Sequence, residues 1–385
     1  MWQKERIISL IPSMKGIADW FWIAEPLLLT VFFFTSAAVI RQKILGYACI
    51  IAASFCLTFA AAEIYFTRQS IKPAQGELRS NASVHVKSGQ TTHIAEKSAH
   101  TPDPVLGYTP NPNAKKVAAR RVKDDKVLYD VLYTRDEEGR RITPDRGAKA
   151  ETAILFFGCS FTVGDGLNDH ETFAWQLGEI LGEKFQVFNY GISGQGSHHM
   201  LGLVESGRLD ALTRRYKRIY AVYLTMSGHP IRCLGYTPFH MGPRYILENG
   251  TLKYAGKLSH TLDRLFAHSR TYAQVKSAYY QRLASERALN THVAIIAKAI
   301  HELNARYHAH FLTVLWPDFI SIEPILRDNG VRTLSLAGVM TDFASAPEKY
   351  VIKSDGHPNA LANTRIAEAL SEYILQNTQT TEEQQ

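Results

Sequence analysis

The chain has 385 residues, 45% of them hydrophobic and 21% charged, with a formal charge of +7. That is too long and too apolar for a disordered chain or a stapled mini-protein, and 25 Gly with 15 Pro exclude collagen-like and low-complexity classes. The basic excess lies in residues 67–149, where sixteen Lys/Arg face ten Asp/Glu, and the later residues are balanced, so the basic folded face of a nucleic-acid binder is not expected.

Residues 1–66 read as a membrane anchor of one or two helices, at about 20–40 and 44–62. The run 44–62, ILGYACIIAASFCLTFAAA, carries no charge and is about long enough for a hydrocarbon core. The run 20–40 includes only Glu25, with Trp20 and Trp22 suited to an interface. Arg41-Gln42-Lys43 separates the two. The simplest expectation is a helical hairpin with this basic turn in the cytoplasm and the large domain on the periplasmic side of the inner membrane. Lys4, Arg6 and Lys15 would then lie outside, against the positive-inside trend. If only the second run spans, both basic clusters are cytoplasmic and the domain is still exported. A cleaved signal peptide fits poorly, because the apolar region is too long and no small-residue cleavage site follows.

Residues 67–100 are polar without periodicity and read as a flexible linker. Residues 101–150 look like a small β module: KVLYDVLYTRD alternates apolar and polar residues, and DEEGRR supplies a hairpin turn. Its role is a lid or substrate platform, or else a packing appendage. Residues 151–378 alternate strands and helices. Strands are expected at 153–157, 185–190, 218–226 and 311–316, with a short one in VRTLSL. Helices are expected at 171–183, 196–214, 270–283, 285–307, 321–329 and 359–376. Residues 230–265 look like an irregular insertion, and 379–385 like a disordered tail. Such a pattern predicts an α/β fold with a parallel sheet covered on both faces, whose site lies beyond the carboxyl ends of the strands.

Three segments follow predicted strands. GCSFTVGDG (158–166) places Ser160 at a tight turn after a buried strand, where its hydroxyl is either presented at the sheet edge or simply caps a helix. NYGISGQG (189–196) has glycines that let a backbone amide approach an oxyanion. In SDGHPN (354–359), Asp355 and His357 are two apart, so in extended chain both face one way. A carboxylate beside an imidazole fixes its tautomer, and the imidazole then activates a serine that is inert at its own pKa.

Ser, Asp and His in this order, each after a strand, resemble the SGNH/GDSL hydrolase family over about 150–376. The resemblance implies a three-layer α/β/α, flavodoxin-like fold. It puts Ser160 in the nucleophile's place, with Asp355 and His357 as acid and base. FGCSFTVGDGL looks like the family's nucleophile block and DGHPNALAN like its final block. NYGISGQG looks like the second block, with Gly194 matching the oxyanion glycine beside the Ser160 amide. Two departures stand out. The block that usually supplies an oxyanion Asn reads MSGHPIR (226–232) here, leaving Ser227 or, preferably, His229 as a donor. The spacing is Asp-x-His rather than Asp-x-x-His, which resembles the branch of alginate-type polysaccharide O-acetyltransferases.

The expected function is a membrane-anchored serine esterase or O-acyltransferase. Its substrate would be an acyl ester, acetyl by preference, on envelope or secreted polysaccharide, with polysaccharide-export proteins as potential partners. The alternatives are a lipase or lysophospholipase, and a catalytically weak glycan-binding or scaffold domain. No cofactor motif is present: Gly164-x-Gly166 lacks the Gly-Lys-Ser/Thr of a phosphate loop. No metal is expected, since the adjacent His198 and His199 diverge on a helix, and Cys49, Cys56, Cys159 and Cys233 form no CxxC pair. Cys159 reads as a small buried residue, Asp165 as a loop-orienting group, Arg232 as structural, and Trp316 as a wall or core residue.

Overall fold

In unit one, two apolar helices pack against each other because neither has a polar face to offer water. The computed structural model describes residues 17–69, 99–123, 126–235, 241–258, 265–266, 269–283 and 286–382. It divides into Met1–Ser80 with His260–Leu283, and Asn81–Ser259 with Ala284–Gln385. The expected linker lies mostly outside the described residues, as do Lys4, Arg6 and Lys15.

The first unit holds the helices Ile17–Val39 and Lys43–Gln69, which run antiparallel, with the Trp22 and Phe59 rings 6.4 Å apart. Both are long and apolar enough to cross a membrane. Many of their outward side chains are apolar: Leu28 and Ile51 are each 70% exposed. Glu63 is a charged residue buried within the unit. Its carboxylate accepts from Ser269 Oγ at 3.0 Å and from the Arg270 and Thr271 amides. It thereby caps the helix Arg270–Leu283, whose first amides have no partner within the helix.

The second unit is built on a five-stranded parallel sheet. Its strands are β5 (Thr152–Phe157), β6 (Phe185–Asn189), β7 (Arg218–Thr225), β10 (His310–Leu315) and β11 (Thr333–Ser335), in the spatial order β11-β10-β7-β5-β6. Alternate residues serve opposite faces. Leu155, Phe157, Ala221 and Tyr223 pack under the helices Ser197–Glu205 and Glu286–Tyr307. Ile154, Phe156, Tyr220 and Val222 pack under Phe173–Leu181 and Ala360–Glu382. Because both faces are covered, the strands are continuous apolar runs, and three α/β/α layers result. The chain leaves β5 toward β6 and leaves β7 toward β10. The crevice beyond the carboxyl ends of β5 and β7 is therefore the switch point of the sheet.

Among the described residues, three antiparallel pairs decorate this core: β1 (His100–Asp103) with β2 (Gly107–Pro110), β3 (Lys116–Lys123) with β4 (Lys126–Thr134), and β8 (Pro243–Glu248) with β9 (Thr251–Lys257). The expected β module thus contains two hairpins. KVLYDVLYT pairs with the upstream KVAARRVK, while DEEGRR closes only a single Arg135–Arg141 bridge. The insertion expected to be irregular carries β8 and β9. The helix expected over 196–214 breaks at Gly207, whose φ of 72° lies outside helical geometry. The final helix continues to Glu382, so of the expected tail only 383–385 lie outside the described residues.

Candidate active site

The turn after β5 is forced by glycine. Gly158 has φ 154°, and a Cβ there would lie 2.1 Å from Thr162 Oγ1 and 3.2 Å from the Leu224 carbonyl oxygen. Cys159 is extended and fully buried, and Ser160 opens the short helix Ser160–Val163. The turn closes through Gly164, left-handed at φ 82°, whose N–H donates to the Ser160 carbonyl at 3.0 Å. Ser160 is 8% exposed, and its Oγ makes no hydrogen bond among the described residues.

Residues 351–358 form a second tight loop. A Val351–Pro358 bridge closes it, and the Ile352 N–H donates to the His357 carbonyl at 2.7 Å. Ser354 and Gly356 take positive φ, 65° and 94°. The loop brings His357 Nδ1 to 2.6 Å from Asp355 Oδ1. The same oxygen accepts from Arg121 Nη1 on β3 at 2.8 Å, while Oδ2 is buried with no partner among the described residues. Burial opposes the charge of Asp355, but the hydrogen bonds and charges of His357 and Arg121 outweigh it and hold its carboxyl below the usual range. The Phe161 ring, next to Ser160 in the chain, lies 5.6 Å from the His357 ring and 5.2 Å from Trp316. The Ser160 and His357 loops therefore meet at one end of the sheet. No Ser160–His357 hydrogen bond exists among the described residues. A serine–base contact often tightens only with substrate present.

The 189–196 segment packs on the Ser160 turn. A Cβ on Gly191 would meet the Val163 nitrogen at 2.7 Å, and Asn189 Nδ2 donates to the Thr162 carbonyl at 2.9 Å. Ser193 Oγ donates to Asp165 Oδ2 at 2.7 Å, so Asp165 joins the two loops. Gly194 takes φ 85°, a left-handed position that suits glycine. Tyr108 from β2 donates to the Ser193 carbonyl at 2.7 Å, and Arg232 Nη1 to that of Gln195 at 2.8 Å.

Of the two proposed side-chain donors, Ser227 is engaged with Asp318 at 3.0 Å. His229 is fully buried, with Nδ1 2.6 Å from Tyr223 Oη and Nε2 without a partner among the described residues. It belongs to a cluster of buried rings with His292, 6.3 Å away, and near the adjacent His198 and His199, themselves 4.0 Å apart. Burial pulls His292 down to about 3 and His199 to about 4, and it holds His198 and His229 well below their ordinary value. Within the cluster Ser197 Oγ lies 2.8 Å from His292 Nδ1, and Thr225 Oγ1 lies 3.0 Å from its Nε2.

Arg121, Tyr108 and the Ser197–His292 contact have no signature in the sequence. An arginine in an Arg-Arg pair on an alternating strand gives no hint of a partner 234 residues away.

No protein-family model matches the chain, and neither does any curated protein. Solved structures similar to it include a member of the lipolytic protein G-D-S-L family from Veillonella parvula, with 13% identity, TM-score 0.35, and coverage of 57% of this chain and 97% of that one. Another is an acetylxylan esterase from Geobacillus stearothermophilus, with 10% identity, TM-score 0.34, and coverage of 57% and 93%. A third is LAE5, an alpha/beta hydrolase from the metagenome of Lake Arreo in Spain, with 11% identity, TM-score 0.35, and coverage of 57% and 94%. Scores this low decide nothing about the chemistry of this chain.

Proposed function

We propose that the protein is an SGNH-type serine esterase or O-acyltransferase, anchored in the inner membrane by its two apolar helices, with the catalytic domain on the periplasmic side. The observation that carries this reading is the 2.6 Å contact between His357 Nδ1 and Asp355 Oδ1, on a loop that meets the Ser160 turn. Asp355 fixes the imidazole with Nε2 free to take a proton. His357 removes the Ser160 proton as Oγ attacks the acyl carbonyl. The amides of Ser160 and Gly194 stabilise the oxyanion, and His229, with its partner-free Nε2, is the candidate third donor. Collapse of the tetrahedral adduct breaks the ester C–O bond, and His357 returns its proton to the leaving alcohol. Water or a sugar hydroxyl then resolves the acyl-enzyme by the same steps. The substrate class is an acyl ester, acetyl by preference, on polysaccharide.

The test uses the full-length protein in detergent with a serine-directed fluorophosphonate and p-nitrophenyl acetate. Label should attach to Ser160, and Ser160→Ala should lose both label and turnover. A folded wild-type protein that neither labels nor turns over would favour a glycan-binding or scaffold domain.

A further inference from the structure

Two adjacent arginines on β3 have different fates. Arg120 lies 3.6 Å from Asp130, with both side chains more than half exposed. Arg121 turns inward, 24% exposed, and donates to an Asp355 side chain that is 0% exposed. It loads the very oxygen that faces His357, while Oδ2 receives nothing among the described residues. The hairpin that carries it is pinned to the Ser160 loop. Tyr133 Oη accepts from the Gly166 N–H at 2.7 Å, and the Thr134 N–H donates to Asp169 Oδ1 at 3.1 Å. The buried Arg141 just beyond donates to Asp169 at 2.9 Å and to the Gly164 carbonyl at 2.7 Å.

We propose that Arg121 is a positioning residue for the Asp355–His357 pair and that its charge sets the acid limit of activity, making the β3–β4 hairpin part of the catalytic apparatus. The inference rests on the esterase reading for its kinetic consequence, though not for its electrostatic one. Arg121 adds to the hold that His357 has on the ionised Asp355 and keeps the shared oxygen aimed at His357. As a cation beside the pair, it also opposes the proton that the pair takes up when the medium acidifies. Among the described residues, Tyr129 from the same hairpin and Asp165 from the Ser160 loop also face this corner, and Lys353, two residues before Asp355, is exposed. Tyr129 lies near Arg121, Asp165 and Asp355, and burial and the two carboxylates raise its phenol. It therefore adds no charge near neutral pH.

The experiment compares Arg121→Gln, Arg121→Lys and Arg120→Gln with wild type in full-length, detergent-solubilised protein. Two readouts are used: kcat/KM for p-nitrophenyl acetate against pH, and the far-downfield proton resonance of His357 Nδ1–H, assigned by its loss in His357→Gln. Arg121→Gln should lower kcat about tenfold to a hundredfold with KM little changed. It should also move the acid limb and the titration of the resonance upward by roughly one pH unit. Arg121→Lys should restore most of both, and Arg120→Gln should change neither. Turnover with neither limb nor resonance moved in a folded Arg121→Gln overturns the inference and leaves the esterase standing. If the folded wild type shows no turnover but the resonance still shifts between wild type and Arg121→Gln, the clamp stands and the esterase reading falls.

Discussion

Two serine–histidine combinations sit in the same domain, and the one joined by a hydrogen bond is the poorer candidate for chemistry. Ser197 Oγ and His292 Nδ1 are 2.8 Å apart, and the remaining ring nitrogen meets Thr225. Every atom of this pair is satisfied and sealed: both residues are 0% exposed, with Cys233 Sγ 3.1 Å from the same hydroxyl. Among the described residues no carboxylate is a hydrogen-bond partner of either, so none of them would stabilise an imidazolium there. Ser160 and His357 share no such bond, but His357 is partly exposed, carries a buried carboxylate on Nδ1, and lies at the carboxyl end of the sheet. A close Ser–His contact is what a polar core makes when it satisfies itself. Acyl transfer needs access, a counter-charge and a place for the oxyanion.

The contrast is most exposed to test through the two serines. Ser160→Ala or His357→Ala should reduce kcat for p-nitrophenyl acetate by about 10⁵-fold, to background, whereas Ser197→Ala should stay within about threefold. Loss of turnover and label in Ser197→Ala, with both kept in Ser160→Ala, would invert the assignment. Next in size, Asp355→Asn should cost roughly 10³–10⁴-fold in kcat with the fold intact by circular dichroism, because the wrong tautomer faces the serine.

The interior pair should show itself in stability. His292→Gln leaves a buried hydroxyl short of a partner and should lower the unfolding free energy by about 2–3 kcal/mol in urea titrations, while fluorophosphonate labelling of Ser160 persists. The last test is in pH. Burial depresses His292 to about 3 and His199 to about 4, from an ordinary 6.5. Between 6.5 and those values the unfolded chain binds protons that the folded chain refuses, so stability falls as pH drops through this window and is flat above it. Each such histidine contributes a slope of about 1.4 kcal/mol per pH unit. Urea midpoints measured from pH 7 to pH 5 should fall, and His292→Gln should make the slope shallower by one proton. An unchanged slope in that variant would mean that His292 is already open to water.

The parts of the candidate site that were readable share one property: they are local. A buried run ending in Gly158 announces β5 and the turn at Ser160, and Asp355 and His357 are two residues apart, so their 2.6 Å contact needs only a tight loop. The strands were legible because both faces of this sheet are covered, which turns each into an apolar run. The hairpin partner of 126–134 was misplaced because alternation marks a strand without saying what it pairs with. The four histidines carried no mark of their depressed protonation, since burial is a property of the packed molecule. Glu63 sits in an apolar helix and looks like a defect until the helix beginning at Arg270 brings it three donors.

Amino-acid order alone therefore determined the α/β alternation, the two apolar helices and the three loops that carry Ser160, Gly194 and the Asp355–His357 pair. Tertiary structure decided that the Ser197–His292 contact is sealed and that His357 stays partly exposed beside Asp355, and it delivered Arg121 to Asp355. Those outcomes depend on desolvation and on charges meeting across long stretches of chain, and neither is set until the sheet, helices and hairpins have packed.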